Sequence, residues 1–226
     1  RALSFAKKLE LFSDLDSTAT RKTLRETPSG SVAHMAKRGN ARHAPQGSVR
    51  IIAGEWRGRR VPIAGGTAVR PTPDRVRETL FNWLRDDVAG ARCLDLYAGT
   101  GALGFEALSR GAAEAWFVEQ DAVLVERLGA TAQRFGAAPR IVRRDALAFL
   151  REPPSARFDV AFLDPPYASP LEPLLTLLPP WLSPGGLVYV ERPRAAGLPV
   201  VAGGEWAKRS HAGAVEYGLL SFAAAV

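Results

Sequence analysis

The stretch Asp95-Leu-Tyr-Ala-Gly-Thr-Gly-Ala-Leu-Gly104 decides the fold that we predict for this chain. An apolar run enters it as a strand, its glycines allow a tight turn, and a helical pattern follows. A strand, a glycine-rich turn and a helix in this order form the first unit of many nucleotide-binding sheets. The stretch also contains the spacing G-x-G-x-x-G, so a dinucleotide-dependent dehydrogenase is one interpretation of it.

Strands and helices alternate along the chain from residue 91 onward. Apolar stretches predict strands at residues 93–98, 115–119, 140–144, 159–163 and 186–191. Helical stretches are predicted at residues 102–110, 122–135, 146–151 and 171–182. This alternation predicts an α/β fold with a parallel, doubly wound, Rossmann-like sheet. Two further strand-like stretches, 205–210 and 215–223, predict a closing antiparallel hairpin that turns at Ala212-Gly213.

Acidic residues stand at the ends of three predicted strands. Asp95 precedes the glycines by four residues, where its carboxylate can hold an ammonium group and would repel a pyrophosphate. Asp95 therefore favours S-adenosylmethionine, whereas Glu119 can bind the ribose hydroxyls of either ligand and Asp145 can bind an adenine amino group. Glu119 and Asp145 can equally be helix N-terminal acids, and Gly104 is expected to serve helix packing. The candidate donor-binding residues are Asp95, Ala98, Gly99, Gly101, Glu119, Gln120, Asp145 and Ala146.

The strand predicted at residues 159–163 runs into Asp164-Pro165-Pro166-Tyr167. Neither proline has an N–H for a sheet, so the backbone should leave the strand stiffly with its carbonyls unpaired. A carboxylate and a carbonyl can accept both hydrogens of an exocyclic NH2 group while Tyr167 stacks on a flat base. A proline-rich turn covered by Tyr167 is the alternative. The position at a strand end favours the functional interpretation, with Asp164, Pro165, Pro166 and Tyr167 as candidate catalytic residues.

The composition is that of a globular protein with room for one large domain and an appendage: 226 residues, 46% hydrophobic and 23% charged. The apolar run 174–182 contains two prolines and is shorter than the ~18 residues of a membrane span. Residues 1–10 carry charges where a signal peptide is apolar, so we expect a cytoplasmic protein without a membrane partner.

Cys93 is the only cysteine and is expected in the core, so no disulfide is predicted. The three histidines are scattered along the sequence, so no metal site is predicted either.

Positive charge is concentrated in the front of the chain. Residues 1–92 hold 18 Lys and Arg against 9 Asp and Glu, whereas residues 93–226 hold 12 against 14. A solvated basic tail is one explanation for this asymmetry. However, several arginines lie in a predicted β-hairpin beside Trp56, a pattern that favours nucleic-acid binding. The candidate RNA-binding residues are Arg57, Arg59, Arg60, Arg70 and Arg75.

Three segments are predicted along the chain. Residues 1–47 lack clear periodicity and are expected to be a loosely ordered extension, in which Met35 is either the true initiator or an ordinary core residue. Residues 48–90 contain the β-hairpin, with strands at 49–53 and 59–63, and a helix that begins at Thr72-Pro73-Asp74. Residues 91–226 form the predicted catalytic domain.

Three motifs together resemble the bacterial RsmD family. They are Arg70-Pro-Thr-Pro-Asp-Arg-Val-Arg-Glu-Thr-Leu-Phe-Asn-Trp-Leu84, Asp95-Leu-Tyr-Ala-Gly-Thr-Gly101 and Asp164-Pro-Pro-Tyr167. The resemblance runs from about Val49 to the C-terminus, and its first motif is specific. Tyr97, Thr100 and Pro73 stand where the family often has Phe, Ser and Thr. None of these three differences concerns a residue that we assign to the chemistry.

This resemblance implies a class I methyltransferase fold, S-adenosylmethionine as donor, and N2 of one guanine in 16S ribosomal RNA as acceptor. The expected partner is the small ribosomal subunit or its assembly intermediate, bound by a monomeric enzyme. Two alternatives stay open. Asp-Pro-Pro-Tyr also serves DNA adenine-N6 methyltransferases, although residues 164–226 leave little room for a target-recognition insertion. An RNA-binding assembly factor with a vestigial donor site is the second alternative.

Overall fold

The structure is a computed structural model that describes residues 47–63, 72–166 and 169–222. In chain order the elements are β1 (Ser48–Arg50), β2 (Arg60–Pro62), α1 (Asp74–Trp83), β3 (Arg92–Leu96), α2 (Ala102–Ser109), β4 (Glu114–Glu119), α3 (Ala122–Phe135), β5 (Arg140–Arg143), α4 (Ala146–Leu150), β6 (Phe158–Leu163), α5 (Glu172–Leu177), β7 (Leu182–Pro193), β8 (Gly204–Ala212) and β9 (Val215–Phe222). Short 3₁₀ turns lie at Pro179–Trp181 and Arg194–Ala196.

Seven of these strands form one sheet in the order β5-β4-β3-β6-β7-β9-β8. The strands from β5 to β7 are parallel to one another, and β9 is antiparallel to both β7 and β8. The α/β fold and the closing hairpin are therefore confirmed. The hairpin turn lies one residue later than predicted, because Ala212 still pairs with Val215. Gly213 has φ 58°, as the first central residue of a two-residue hairpin turn often does.

Hydrophobic cores cover both faces of the sheet, as expected for a doubly wound fold. Successive residues of a strand point to opposite faces, so Cys93 enters one core while Leu94 enters the other. The first core contains residues of α1, α2 and α3, and the second contains residues of α4 and α5. Cys93 is fully buried as predicted, and burial raises the pKa of its thiol to about 12.

The helix predicted at residues 171–182 is wrong in its second half. The α-helix ends at Leu177, a single 3₁₀ turn follows, and Leu182 already begins β7. Two consecutive prolines, Pro179 and Pro180, cannot donate the backbone hydrogen bonds that an α-helix needs, and they disfavour helical geometry in the residue before them. Trp181 uses the resulting turn to enter the core, where its indole N–H donates to the Leu150 carbonyl at 3.2 Å.

The β1–β2 hairpin and α1 pack into the same core as the α2–α3 face of the sheet. Val49, Ile51 and Val61 are buried there, together with Val76 and Leu80 of α1. Helix α1 begins at Asp74, as predicted, and the hairpin strands are shorter than predicted. Residues 1–46 lie outside the described residues, and the division at residues 47 and 90 stays a prediction. Within the described ranges, no helix has the length and apolar character of a membrane span.

Candidate functional site

The predicted donor-binding and catalytic residues that the structure describes lie at or just after the carboxyl ends of four adjacent parallel strands, β5, β4, β3 and β6. The chain leaves β3, builds β4 and β5 outward on one side, and returns to place β6 on the other side of β3. Leu96 pairs with Leu163 across the two parallel strands, so the glycine turn after β3 lies beside the segment that begins at Asp164. In open α/β sheets such a reversal of strand order leaves a crevice in which ligands bind.

The glycine turn has a strained backbone. Tyr97 has φ 62°, which is the only positive φ of a non-glycine residue in the described ranges, and Gly99 and Gly101 have φ 55° and 78°. Left-handed geometry is costly for a residue with a side chain and is concentrated at functional sites. A Cβ at Gly101 would also lie 2.6 Å from Leu128 and 2.7 Å from Phe105. Glycine is therefore required at Gly101 by the protein's own packing, independently of any ligand.

Asp95 lies beneath this turn and is almost completely buried. Its Oδ2 accepts a 3.0 Å hydrogen bond from the backbone N–H of Gly104. Gly101, the N-cap of α2, has no side chain that could accept from the N–H groups of the first helical turn. Asp95 on β3 therefore caps the helix in its place. Burial raises the pKa of Asp95 to about 8; the bond from Gly104 opposes this rise, and the charge of Glu119 adds to it.

Gly104 serves helix packing, as expected from the sequence. A Cβ at this position would lie 2.3 Å from the ring of Phe117 on β4 and 3.1 Å from Asp95 Oδ2. The third glycine of the G-x-G-x-x-G spacing therefore brings α2 against the sheet, and it needs no nucleotide to explain it.

Glu119 ends β4, is buried, and is held by two backbone groups. Its Oε2 accepts from the N–H of Gly99 at 2.9 Å, and its Oε1 accepts from the N–H of Asp121 at 2.9 Å. These bonds tie the glycine turn to the end of the neighbouring strand. A carboxylate has lone pairs beyond these two, so ribose hydroxyls can still bind to it. Gln120, the next residue, is exposed.

Asp145 follows β5 and caps α4, since its Oδ1 accepts from the N–H of Ala148 at 2.8 Å. Asp145 is exposed and Ala146 is buried. Burial raises the pKa of Tyr97, and the charge of Asp145 raises it further. Tyr97 was not among the site residues predicted from the sequence. A bulky residue between Asp95 and Gly99 was the available signal.

Asp164 was predicted from the sequence, but the hydrogen-bonding side chains near it were not. Thr72, just before α1, donates from Oγ1 to Asp164 Oδ2 at 3.3 Å. Glu191 on β7 is buried and accepts a 2.7 Å hydrogen bond at Oε2 from the hydroxyl of Tyr189. Burial raises the pKa of Asp164 well above its ordinary range, and the charge of Glu191 raises it further. The sequence signal that could have identified Glu191 is a lone acid near the end of an apolar strand, the same signal that identified Glu119.

The two prolines after Asp164 differ in their environment. Pro165 is buried and Pro166 is exposed. The expectation of unpaired carbonyls is wrong for Pro166, whose carbonyl accepts from the N–H of Ser169 at 2.8 Å. The chain therefore turns back immediately after the prolines, so this carbonyl is already engaged. Tyr167 lies outside the described residues.

Three of the five candidate RNA-binding arginines, Arg57, Arg59 and Arg60, lie exposed on the β1–β2 hairpin. The guanidinium of Arg59 lies 4.4 Å from the ring centroid of Phe135 and donates to the Arg134 carbonyl. Arg60 donates to Ser48 Oγ at 3.0 Å. Arg75 is exposed in the first turn of α1, and Arg70 lies outside the described residues.

Trp56 does not form part of an exposed aromatic and basic surface, so the position expected for it from the sequence is wrong. It is buried, and its ring centroid lies 5.0 Å from that of Phe135. Trp56 is thus a core residue that attaches the hairpin loop to α3, and it is not placed to stack on a base.

Residues of α2 fix the hairpin loop through a hairpin clamp, which consists of Glu106 and Ser109. Glu106 is fully buried and accepts from the N–H groups of Ile52 at 2.7 Å and Ala53 at 3.0 Å. Ser109 Oγ accepts from the N–H of Trp56 at 2.9 Å and donates to the Ala53 carbonyl at 2.6 Å. Neither residue of the clamp was predicted from the sequence.

A buried cation, Arg77, lies next to the hairpin clamp and contacts Glu106. Arg77 of α1 is fully buried, which is unusual for a charged residue. It donates to the Arg50 carbonyl at 2.9 Å and to Asp74 at 2.7 Å, and its Nη1 lies 3.6 Å from Glu106 Oε2. The contacts of Arg77 thus join β1, α1 and α2. They also provide the partners that a buried charge requires.

Comparisons with known proteins agree with this geometry. The family model described as conserved hypothetical protein 95 matches residues 49–221. The ribosomal RNA small subunit methyltransferase D of Escherichia coli K12 is 42% identical over 163 residues, which cover 70% of this chain and 82% of the relative. The protein of the same name from Haemophilus influenzae Rd is 41% identical over 179 residues, covering 75% and 92%. The solved structure of the yhhF protein of Escherichia coli superimposes with a TM-score of 0.73 at 40% identity, covering 79% of this chain and all of that one.

Proposed function

Since the chain belongs to this family, the RsmD methyltransferases, we propose that it transfers a methyl group from S-adenosylmethionine to N2 of a guanine in 16S ribosomal RNA. The enzyme class and the donor follow from the family. The guanine N2 acceptor, the small ribosomal subunit or its assembly intermediate as substrate particle, and a monomeric enzyme are the finer parts of the proposal.

One observation carries the proposal: the glycine turn and Asp164 lie side by side on neighbouring strands. The turn follows Leu96, Asp164 follows Leu163, and these two leucines are paired. A donor on the turn and a base on Asp164 would therefore meet in one crevice. Methyl transfer needs such proximity, because holding two reactants in line removes much of the entropic cost of a bimolecular reaction.

The described residues fit S-adenosylmethionine better than a dinucleotide. Asp95 is buried with a raised pKa, so an ammonium partner would favour its charged form, whereas a pyrophosphate would disfavour it. Glu119 has acceptor capacity for ribose hydroxyls, and the exposed Asp145 can accept a hydrogen bond from an adenine amino group. When bound, S-adenosylmethionine supplies a methyl group on a positively charged sulfur.

At the acceptor, Asp164 would orient the exocyclic amino group. The N2 lone pair of guanine is delocalised into the ring, so this nitrogen is a weak nucleophile. Hydrogen bonds from its two hydrogens to Asp164 and to the Pro165 carbonyl would favour a pyramidal nitrogen that attacks in line. We assign Tyr167 the role of stacking on the base once it has left its own stack. Thr72 fixes the carboxylate from the other side.

The RNA would bind along the hairpin and the first turn of α1. Arg57, Arg59 and Arg60 present exposed charge on a hairpin that the clamp holds rigidly, so the charges are pre-organised to meet phosphates. Arg75 lies three residues after Thr72, and Thr72 contacts Asp164. A phosphate on Arg75 would therefore flank the target base. Arg70 stays a candidate for RNA binding from the sequence alone.

Mass spectrometry of nucleosides after reaction tests the proposal. The purified protein and S-adenosylmethionine should convert guanosine of unmodified small-subunit particles to N2-methylguanosine, with little reaction on DNA. Formation of N6-methyladenine in DNA would instead select the DNA methyltransferase. Binding to the particles without any methylated nucleoside would select a non-catalytic assembly factor.

A further inference from the structure

Two acidic residues end neighbouring strands beside the acceptor site. Leu163 pairs with Val190 across β6 and β7, so the next residues, Asp164 and Glu191, are neighbours. Parallel strands lie about 4.8 Å apart, which brings two carboxyl groups close together in a site that is largely closed to water. Glu191 is buried and Asp164 is partly exposed. Glu191 has no part in the chemistry described so far.

Each of the two carboxyl groups accepts a hydrogen bond from a hydroxyl. Thr72 donates from Oγ1 to Asp164 Oδ2 at 3.3 Å. Glu191 is held from its own strand by the Tyr189 hydroxyl at 2.7 Å. These two bonds hold the neighbouring carboxyl groups without supplying a positive charge.

The surroundings of this pair disfavour two negative charges. The titratable groups that act on it are Asp95 on β3 and Tyr189 on β7, and neither can carry a positive charge. Burial raises the pKa of both Asp164 and Glu191. The ion pairs formed among the described residues include neither carboxylate. Two close carboxyl groups without a cation hold a proton between them.

Nor does a metal ion explain the pair. Within residues 47–63, 72–166 and 169–222, no group of three or more His, Cys, Asp or Glu side chains is arranged to bind one. Two neighbouring carboxyl groups that can take up a proton suit the acceptor reaction, in which the amino nitrogen gains a methyl group and has to lose a proton.

We propose that Glu191 is a positioning residue that shares one proton with the neighbouring Asp164. In the resting pair the proton resides on Glu191, which leaves Asp164 as the carboxylate that binds the amino group. After N2 has formed its bond to the methyl carbon and the carbon–sulfur bond has broken, one N–H bond breaks with its electron pair remaining on nitrogen. That proton moves to Asp164, and the pair returns to one proton by releasing the other to water. This inference rests on the proposed methyl transfer.

Single-turnover methylation of small-subunit particles as a function of pH tests the role of Glu191. Glu191→Gln keeps the size of the side chain and its bond to Tyr189, but it cannot give up a proton. The basic limb of the pH–rate profile, which reports loss of the shared proton, should therefore disappear, and the maximal rate should fall by roughly 10-fold or more. Glu216→Gln on β9 is the matched control and should leave both unchanged. A Glu191→Gln profile that superimposes on the wild-type profile would overturn the proposal.

Thr72 variants test how Asp164 is held. Thr72→Val keeps the shape and removes the hydroxyl that donates to Asp164, so it should slow transfer and raise the pH at which Asp164 ionises, while Thr72→Ser should restore both. Carboxyl-carbon NMR on the full chain, with labelled Asp and Glu, reads the shared proton without substrate. The wild-type pair should titrate in two steps, whereas Asp164 in Glu191→Gln should titrate in one. Independent titration of the two groups would contradict the inference, whereas a shared proton in a protein that methylates no nucleoside would remove only the proposed function.

Discussion

Asp95 accepts a 3.0 Å hydrogen bond from the backbone N–H of Gly104, and this bond attaches the end of β3 to the first turn of α2. The same carboxylate is the one that we assign to the ammonium group of the donor. The helix start and the donor site therefore depend on one buried acid, and the protonation of that acid should be visible in stability.

The stability of the protein should fall with rising pH because of Asp95. Its pKa is about 8 in the folded protein and about 4 when unfolded, so the folded state binds more protons between these values. Stability from this group is thus fully present below about pH 4 and is lost as pH rises toward about 8, with a slope of up to ~1.4 kcal/mol per pH unit. Asp95→Asn still offers an oxygen to Gly104 and should remove that slope. Urea unfolding between about pH 5 and about pH 8 measures it, and identical slopes in both proteins would refute the assignment.

Gly54 and Gly58 form a matched pair for testing the hairpin clamp, because both have φ 83°. A Cβ at Gly54 would lie 1.7 Å from the carbonyl oxygen of Ser109, whereas a Cβ at Gly58 meets nothing within 4 Å. Gly58→Ala should cost only the left-handed strain of roughly 1 kcal/mol. Gly54→Ala should cost clearly more and weaken RNA binding, because the hairpin has to leave α2. Denaturant unfolding measures the loss of stability in both variants, and filter binding measures their RNA affinity. Equal losses of stability would show that the contact with Ser109 does not hold the hairpin.

Arg57 and Arg59 should both contribute to RNA binding, but only Arg59 should contribute to stability. Removing one arginine that binds a phosphate flattens the dependence of log affinity on log salt by ~0.9 for a duplex. Arg59 also packs on Phe135 and bonds the Arg134 carbonyl, so Arg59→Ala should lower the melting temperature as well. Arg57→Ala should leave the melting temperature unchanged. If neither variant changes the salt slope, the RNA binds to another surface.

Asp164 variants separate donor binding from methyl transfer. Asp164→Ala should abolish transfer and keep most of the donor affinity, since the carboxylate is assigned to the base. Asp164→Asn can still accept hydrogen bonds from the amino group and from Thr72, but it carries no charge. Because the methylated nitrogen is cationic until it loses a proton, we expect Asp164→Asn to be slower by roughly two to three orders of magnitude. Single-turnover kinetics and calorimetry with the donor provide the two measurements. Full activity in the alanine variant would exclude Asp164 from the reaction.

The sheet could be predicted from the sequence because its signals are local. Each central strand is a short apolar run, and each turn contains glycine or an acid that caps the next helix, as Asp121 does for α3. The prediction failed where local signals compete. An apolar pattern favoured a long helix through Pro179 and Pro180, and the two prolines ended it early.

Interactions between distant segments could not be predicted in the same way. Glu106 and Ser109 bind backbone groups more than 50 positions away, and Thr72 is 92 positions from Asp164. Nothing near Glu106 in the sequence distinguishes it from an exposed helical glutamate. Trp56 illustrates the opposite error, since its arginine neighbours favoured a surface role while Phe135 buries it.

The position of β9 determines the order in which the sheet can be completed. This strand lies between β7 and β8, although β8 is synthesised first. Until β9 is synthesised, β8 has no strand with which to pair, because it pairs with β9 alone. The parallel strands from β3 to β7 precede both in the chain and pair with one another. A chain synthesised only as far as β8 would therefore expose the hydrogen-bonding edge of β7 to other proteins.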